Sequence, residues 1–542
     1  MSISTVGVAS AAMLTHSSAA YLCISLKTYQ SKYQKMFSTR SGHHAATRSK
    51  TQLKRNYAAV VADADDGTKQ LLSASRQAFI DWAVENAIPI ERLTPDDYSD
   101  SSDTTVHNAA FLKALSGAIQ SSSASVVMLS EGFHNCKEMM TLHNAIIDYL
   151  ITSLGFRVVA SESGLPESRI ISNHLQNVPR DLTCDEEDEL WAGLNKMYSA
   201  WSEGRDLIDL LIICNIAQLM GGHGNDDLVD YCGLDIGGFY SDWTHPISII
   251  KRYIKQHFPQ FERNWSQQMN PLLNALGTSK ARYNYQHKLT AADKNELALL
   301  LDELVNMMTS KRDEFNGDLD FEWTRQSAIS MQLAENYYRN YEHMSSDDIT
   351  MKYAGLNGRE IAMANNIIWR LNLDCSNNDR SRREQTKMIV INHVIHTKTA
   401  TQYQDEIWGH FVPMGQMVKQ ILDEKGAQKG NTQPVFNIGM IYGGGTFWNN
   451  WQRPNERVVD TIPPPKEDGL EATMKEVSEK TGMKNFFIHW EIAPSDAYVY
   501  LHSVTTIREN DYFIRAFPLE WNGCIYLDRV THATADNAYR MN

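Results

Sequence analysis

The stretch Val126 to His134, VVMLSEGFH, constrains the chain more than any other. An apolar run stops at Ser130, and Glu131 and His134 follow within four residues. The same arrangement returns at Phe156 to Ser161, followed by Glu162. It returns again where Met388 to Ile391 leads into Asn392, His393 and His396. Short runs that are apolar at every position suit strands covered on both faces, as in a parallel sheet. Open parallel sheets bind ligands beyond the carboxyl ends of their strands. The three strand ends therefore bring two Glu and three His to one sheet edge.

The surrounding pattern is that of an α/β protein. Helical spacing covers Gln77 to Asn86 and His107 to Gln120, and again Lys137 to Leu154, with Gly155 placed as a C-terminal cap. Strand, helix and strand from Val126 to Ser161 make a βαβ unit with a crossover of suitable length. From Asp185 to about Arg339 the text is mostly helical, broken by the short strand and turn Gly233-Leu-Asp-Ile-Gly-Gly. A helix over Arg359 to Leu371 follows, and strands return at Met388, Val435, Phe486 and Cys524. The expected fold is α/β: a central, largely parallel sheet flanked by helices, with a helical insertion over about 185–345 forming a lid or cleft wall. The α/β domain is expected to span 75–540.

Composition narrows the function classes. The formal net charge of −14 over 542 residues argues against a nucleic-acid partner, which would want clustered Lys and Arg. Seven scattered cysteines, with no CxxC pair, argue against a disulfide scaffold or a zinc ribbon. Residues 1–62 carry no Asp or Glu but eight Lys and Arg, which leaves −22 on the other 480 residues. An acid-poor, Ser-rich, basic leader has the composition of a mitochondrial or plastid transit peptide. A disordered tail on a cytoplasmic protein has it too. The Val6 to Leu26 stretch, interrupted by His16, Ser17 and Ser18, is a poor membrane span.

Each candidate has a plainer reading. His134 could be surface decoration of a loop, and Glu162, flanked by Ser161 and Ser163, a cap or ion-pair partner. His393 and His396 form an H-x-x-H that could ligate zinc with His134 as third ligand, although zinc motifs usually sit on a regular helix. Gly443, Gly444 and Gly445 follow a strand as a phosphate loop would, but lack the Lys-Ser/Thr of one. They read instead as a tight turn that lets backbone approach a ligand. No G-x-S-x-G elbow is present. Carboxylates and imidazoles without a nucleophilic Ser or Cys point to water activation by a neutral His, with a carboxylate on its other nitrogen. Residue chemistry alone reaches a hydrolase or a metal site at a sheet edge.

LSEGFHNCKEM, followed by GFRVVASES, resembles the opening signature of the erythromycin esterase family, which includes proteins of succinoglycan biosynthesis. The likeness continues in order through WSEGRDLIDLLIICN, GLDIGG, NGREIAMANNIIW, INHVIH, MGQMVKQIL and IGMIYGGGTF, over about residues 75–535. It implies metal-independent, cofactor-free hydrolysis of a small-molecule ester or lactone, with no membrane partner; the oligomeric state stays open. It casts His134 as general base, Glu162 as its essential acidic partner and Glu131 as a support of the same cluster. His393 and His396, with His143, Glu138, Gly443 and Gly444, are the substrate- or oxyanion-binding candidates. Four positions depart from the family pattern. His143 stands where Arg is frequent, Asn365 where the helix motif has Glu, Val394 where the loop has Asn, and Ser130 where Gly is usual.

Overall fold

A computed structural model describes residues 66–91, 108–132, 134, 136–177, 202–222, 227–238, 243–277, 281–373, 386–399, 410–427, 434–448, 459–504, 506–509, 512–515 and 520–533. The basic leader expected over 1–62 lies outside them. The chain divides into Met1–Leu71 and Leu72–Asn542. In the first unit only residues 66–71, the start of the helix Asp66–Asn86, are described. The second unit holds the sheet and all that follows.

Twelve strands are described: β1 (Ile88–Pro89), β2 (Val126–Glu131), β3 (Val158–Gly164), β4 (Asp230–Asp235), β5 (Met388–His393), β6 (Val435–Tyr442), β7 (Gly445–Trp448), β8 (Val459–Ile462), β9 (Asn485–Ile488), β10 (Thr506–Glu509), β11 (Tyr512–Arg515) and β12 (Gly523–Leu527). Eight of them form the main sheet, in the order β1-β9-β12-β6-β2-β5-β3-β4. From β12 to β4 every ladder is parallel, and β9 pairs antiparallel with β12 and β1. The largely parallel sheet expected from the sequence is present.

The uninterrupted apolar runs now have a cause. Val127 and Leu129 of β2 enter a core on one face of the sheet with Val159, Ile389 and Ile438. Val126 and Met128 enter a second core on the other face with Val158, Ala160, Met388 and Val390. Burial on both faces removes the polar half of the usual strand alternation. Between β2 and β3, Met139, Leu142, Ile146, Ile147 and Leu150 line the buried side of the helix Lys137–Leu154. Gly155 closes that helix at φ 70°, and its N–H donates to the Leu150 carbonyl.

Two details differ from the sequence reading. β3 does not stop before Glu162 but runs to Gly164. Its pairing with β4 steps from Ser161–Gly233 to Gly164–Asp235, so β3 carries one extra residue there. Such a bulge re-aims side chains at a strand end. In addition, the short strand expected from Gly233 within the helical insertion begins at Asp230 and, as β4, forms an edge of the main sheet. The helices that follow, from Thr244–His257 to Leu319–Asn340, enclose a core of their own around Trp243, Trp265, Tyr285, Leu301, Met331 and Tyr338. The helix Ile349–Leu373 then packs on β4 and on Leu319–Asn340, which brings its polar residues to the end of the sheet.

Candidate active site

Four neighbouring strands, β2, β5, β3 and β4, end beside one another. They deliver Glu131, His393, Glu162 and Asp235 respectively, and the sheet register pairs Glu131 with His393. His134 follows on the loop after β2. His396 sits in the short helix Val394–Thr397, which starts directly after β5. Gly132 permits a close pass of the loop over β6, because a Cβ there would meet the Tyr442 ring at 3.0 Å and the Met440 carbonyl oxygen at 3.2 Å.

His134 Nδ1 lies 2.6 Å from Glu131 Oε1, while its Nε2 lies 3.8 Å from Glu162 Oε2. Its direct carboxylate partner is therefore Glu131. Glu162 Oε2 also receives the backbone N–H of His393, at 3.4 Å. The rings of His134 and His393 stand 4.9 Å apart. His393 Nδ1 accepts the Ile395 N–H at 3.3 Å and so starts the helix that carries His396.

The middle of the cluster belongs to Arg359, from the helix Ile349–Leu373. Its Nη2 donates to Glu162 Oε1 at 2.5 Å and to Asp235 Oδ2 at 2.6 Å, and its Nε lies 3.0 Å from both Asp235 oxygens. Its Nη1 lies 3.3 Å from His396 Nε2. Glu360, the next residue, has Oε1 at 2.6 Å from His396 Nδ1 and accepts the Met414 N–H on Oε2 at 2.9 Å.

Charge follows from this geometry. Burial works to raise the Glu162 carboxyl. Arg359, followed by His396, His134 and His393, outweighs burial and holds it well below the usual carboxylate range. Burial works to lower His396, yet Glu360 and Glu162 together raise it above the ordinary histidine value despite Arg359. Burial raises Asp235, and Arg359 only partly offsets this.

The sequence-predicted residues separate into two groups. His134, Glu131, Glu162, His393 and His396 converge. Glu138 does not join them, because its two oxygens receive the backbone N–H and hydroxyl of Thr531 at 2.6 and 2.7 Å. His143 is buried in the helix behind the cluster, and burial pushes its pKa down to about 4 against the pull of Glu131. The Gly443 N–H donates to the Leu527 carbonyl, and the Gly444 carbonyl accepts from Val530. These bonds stitch the glycine turn to the exit of β12. Among the described residues no three His, Cys, Asp or Glu side chains are placed to hold a metal ion. A cation among the three histidines would also face the Arg359 guanidinium beside His396.

The sequence model of the erythromycin esterase family matches residues 151–517. The chain belongs to the erythromycin esterase family. It is 22% identical over 384 residues to erythromycin esterase type II of Escherichia coli, covering 67% of this chain and 79% of that protein. The fold is similar to the crystal structure of a succinoglycan biosynthesis protein, with a TM-score of 0.62 at 15% identity over 85% of this chain and 99% of the other. A Bacillus cereus protein gives a TM-score of 0.62 at 16% identity, with the same coverage. A mutant of the erythromycin esterase EreC in its open conformation gives 0.56 at 15% identity, over 79% of this chain and 95% of that one. Among the described residues of this family member, no helix is long and apolar enough to cross a membrane.

Three residues of the cluster escaped sequence reasoning: Asp235, Arg359 and Glu360. Each lies in a family motif, Asp235 in GLDIGG and the other two in NGREIAMANNIIW. A charged residue in a helix reads by default as solvated, so no role followed from the motif. Other motif residues are scaffolding. Asn215, at the end of WSEGRDLIDLLIICN, bonds the Leu175 and Val229 carbonyls and accepts the Val229 N–H, which fixes the start of β4. Ser130, where the family usually has Gly, donates to Asn437 at 2.8 Å and shares a 2.6 Å hydrogen bond with Thr397.

Proposed function

We propose that the protein is an ester hydrolase in which His134 activates water for attack on an ester or lactone carbonyl. One observation carries the reading. His134 has Glu131 on Nδ1 at 2.6 Å and turns Nε2 toward Glu162 Oε2, 3.8 Å away. An ionised Glu131 accepts from Nδ1–H, which makes Nε2 the basic nitrogen of the ring. The Nε2 to Oε2 separation is too long for a direct hydrogen bond, and a water bonded to Nε2 would also reach Glu162. Loss of its proton to Nε2 would make that water a hydroxide for attack on the carbonyl carbon. The new imidazolium is stabilised by both carboxylates. When the tetrahedral intermediate collapses, the departing alkoxide takes the proton back from His134. His396, held toward its charged form with Nδ1 on Glu360 and Nε2 3.6 Å from Glu162 Oε1, would turn its Nε2–H to the developing oxyanion, a type of interaction that often contributes most to catalysis. Glu162 then acts as an ionised acceptor beside the water.

The test is hydrolysis of a panel of esters and lactones, including a macrolide lactone. Wild type, His134→Ala and Glu162→Ala are compared. General-base assistance is typically worth about 10²–10⁴-fold, and losses of that order are expected for His134→Ala. Equal rates for all three proteins would end the idea.

A second reading is a ligand-binding protein that keeps the cleft without turnover. It is favoured by His143, which is buried and held neutral at ordinary pH where the family often carries a permanently charged Arg. Tight binding of an ester by wild type, with no hydrolysis over long incubation, would select this reading over the first.

A further inference from the structure

The cluster is organised from outside the sheet. Arg359 and Glu360 are consecutive, on a helix that contributes nothing to the strand ends. Yet one holds Glu162 at 2.5 Å and the other lies 2.6 Å from His396 Nδ1. Each is anchored again on its far side, Arg359 by Asp235 and Glu360 by the Met414 N–H. We propose that the dipeptide Arg359-Glu360 is the positioning element of this site, Arg359 aiming Glu162 at His134 and Glu360 fixing the ring and proton of His396. This rests on the hydrolase reading and adds two residues that act through others, without touching substrate.

The two arms differ in sign. Glu162 faces Arg359, His396, His134 and His393, with Asp235 on the far side of the guanidinium. Removing the guanidinium removes the largest influence holding the Glu162 carboxyl down, so Glu162 keeps a proton to higher pH. His396 faces Glu360, Glu162 and Arg359. A neutral amide in place of Glu360 removes the strongest influence keeping His396 protonated. Bonded to Met414 through its oxygen, such an amide would also present N–H to Nδ1 and impose the other tautomer.

The pH profile of kcat/KM, measured on the full chain, separates these effects from simple loss of structure. Arg359→Met should move the acid limb up, and Glu360→Gln should move the alkaline limb down. Each should also cost about 10²-fold or more in kcat, the scale of a misplaced acid–base partner. Arg359→Lys keeps the charge but not the fork. It should fold even if the Met variant does not, leaving the acid limb near its wild-type position while kcat falls. Limbs unmoved in folded Arg359→Met and Glu360→Gln proteins would overturn the proposal, as would wild-type rates in any of the three variants. NMR titration of the His134 and His396 rings in the same proteins needs no turnover. Absence of ester hydrolysis by wild type would sink the hydrolase reading, and the ring titrations would still decide whether Arg359 and Glu360 set these charges.

Discussion

Glu162 Oε1 and Arg359 Nη2 lie 2.5 Å apart although 197 positions separate the two residues in the chain. The contact joins a strand end to a helix, and it carries a stability consequence. The Glu162 carboxyl is held below its unfolded value, which is about 4.3. Its ionised form therefore favours the folded state at neutral pH. That contribution is complete above the unfolded value and disappears as pH falls through the folded one. Asp235 works in the opposite sense: raised by burial, it takes up a proton in the folded state first, so acid relieves its cost. Urea unfolding of wild type and Glu162→Gln should show a stability gap near pH 7 that narrows below about pH 4. A gap that does not change with pH would refute the depressed carboxyl.

Glu131, not Glu162, makes the direct bond to His134, and this has a kinetic signature. In Glu131→Gln the neutral amide can still accept from Nδ1–H, but it no longer stabilises the imidazolium that forms when His134 takes the proton of the water. We expect kcat to fall by about 10²-fold or more, with KM little changed. Steady-state kinetics on any ester the wild type hydrolyses provides the check. A rise in KM alone would reassign Glu131 to substrate binding.

Much of this arrangement was legible in the sequence, for a definite reason. Residues that a strand buries on both faces must be apolar without interruption, so Val126–Leu129 and Met388–Ile391 announce parallel strands, and whatever ionisable group follows lands on one edge. That logic finds Glu131, His134, Glu162, His393 and His396. It cannot find Arg359 or Glu360, whose helix joins the site only by tertiary packing against β4. Nor can it tell Glu138 from Glu131. Both come soon after the apolar run Val126–Leu129, and only the return of the chain at Thr531 shows that Glu138 is engaged elsewhere. The extent of β3 was misread for a related cause: the bulge between Ser161 and Gly164 breaks the pairing without ending the strand.

The bulge yields a third expectation. A Cβ on Gly233 would lie 2.3 Å from the Gly164 carbonyl oxygen and 2.6 Å from that of Ser163, both backbone atoms. Gly233→Ala must therefore push apart β3 and β4 beside Glu162. Overpacking of this kind costs about 1–3 kcal/mol, and the displacement should lower kcat as well. Thermal unfolding and ester kinetics on the variant test both effects. A Gly233→Ala protein with wild-type activity would show that the close approach does not hold Glu162 in place.

Glu138 supplies the last expectation, and it separates scaffold from site. Its carboxylate holds Thr531, whose carbonyl in turn accepts the Lys137 N–H, while Cys136 and His532 form a β-bridge alongside. The chain after β12 is thereby tied to the start of the helix that follows the His134 loop. Glu138→Met keeps roughly the size of the side chain but removes both acceptors that hold the Thr531 N–H and hydroxyl. Hydrogen bonds contribute about 0.5–1.5 kcal/mol each, so the unfolding midpoint in urea should drop measurably. At temperatures where the variant remains folded, KM should match wild type, because both carboxylate oxygens are turned to Thr531. A raised KM with unchanged stability would instead return Glu138 to the substrate-binding set.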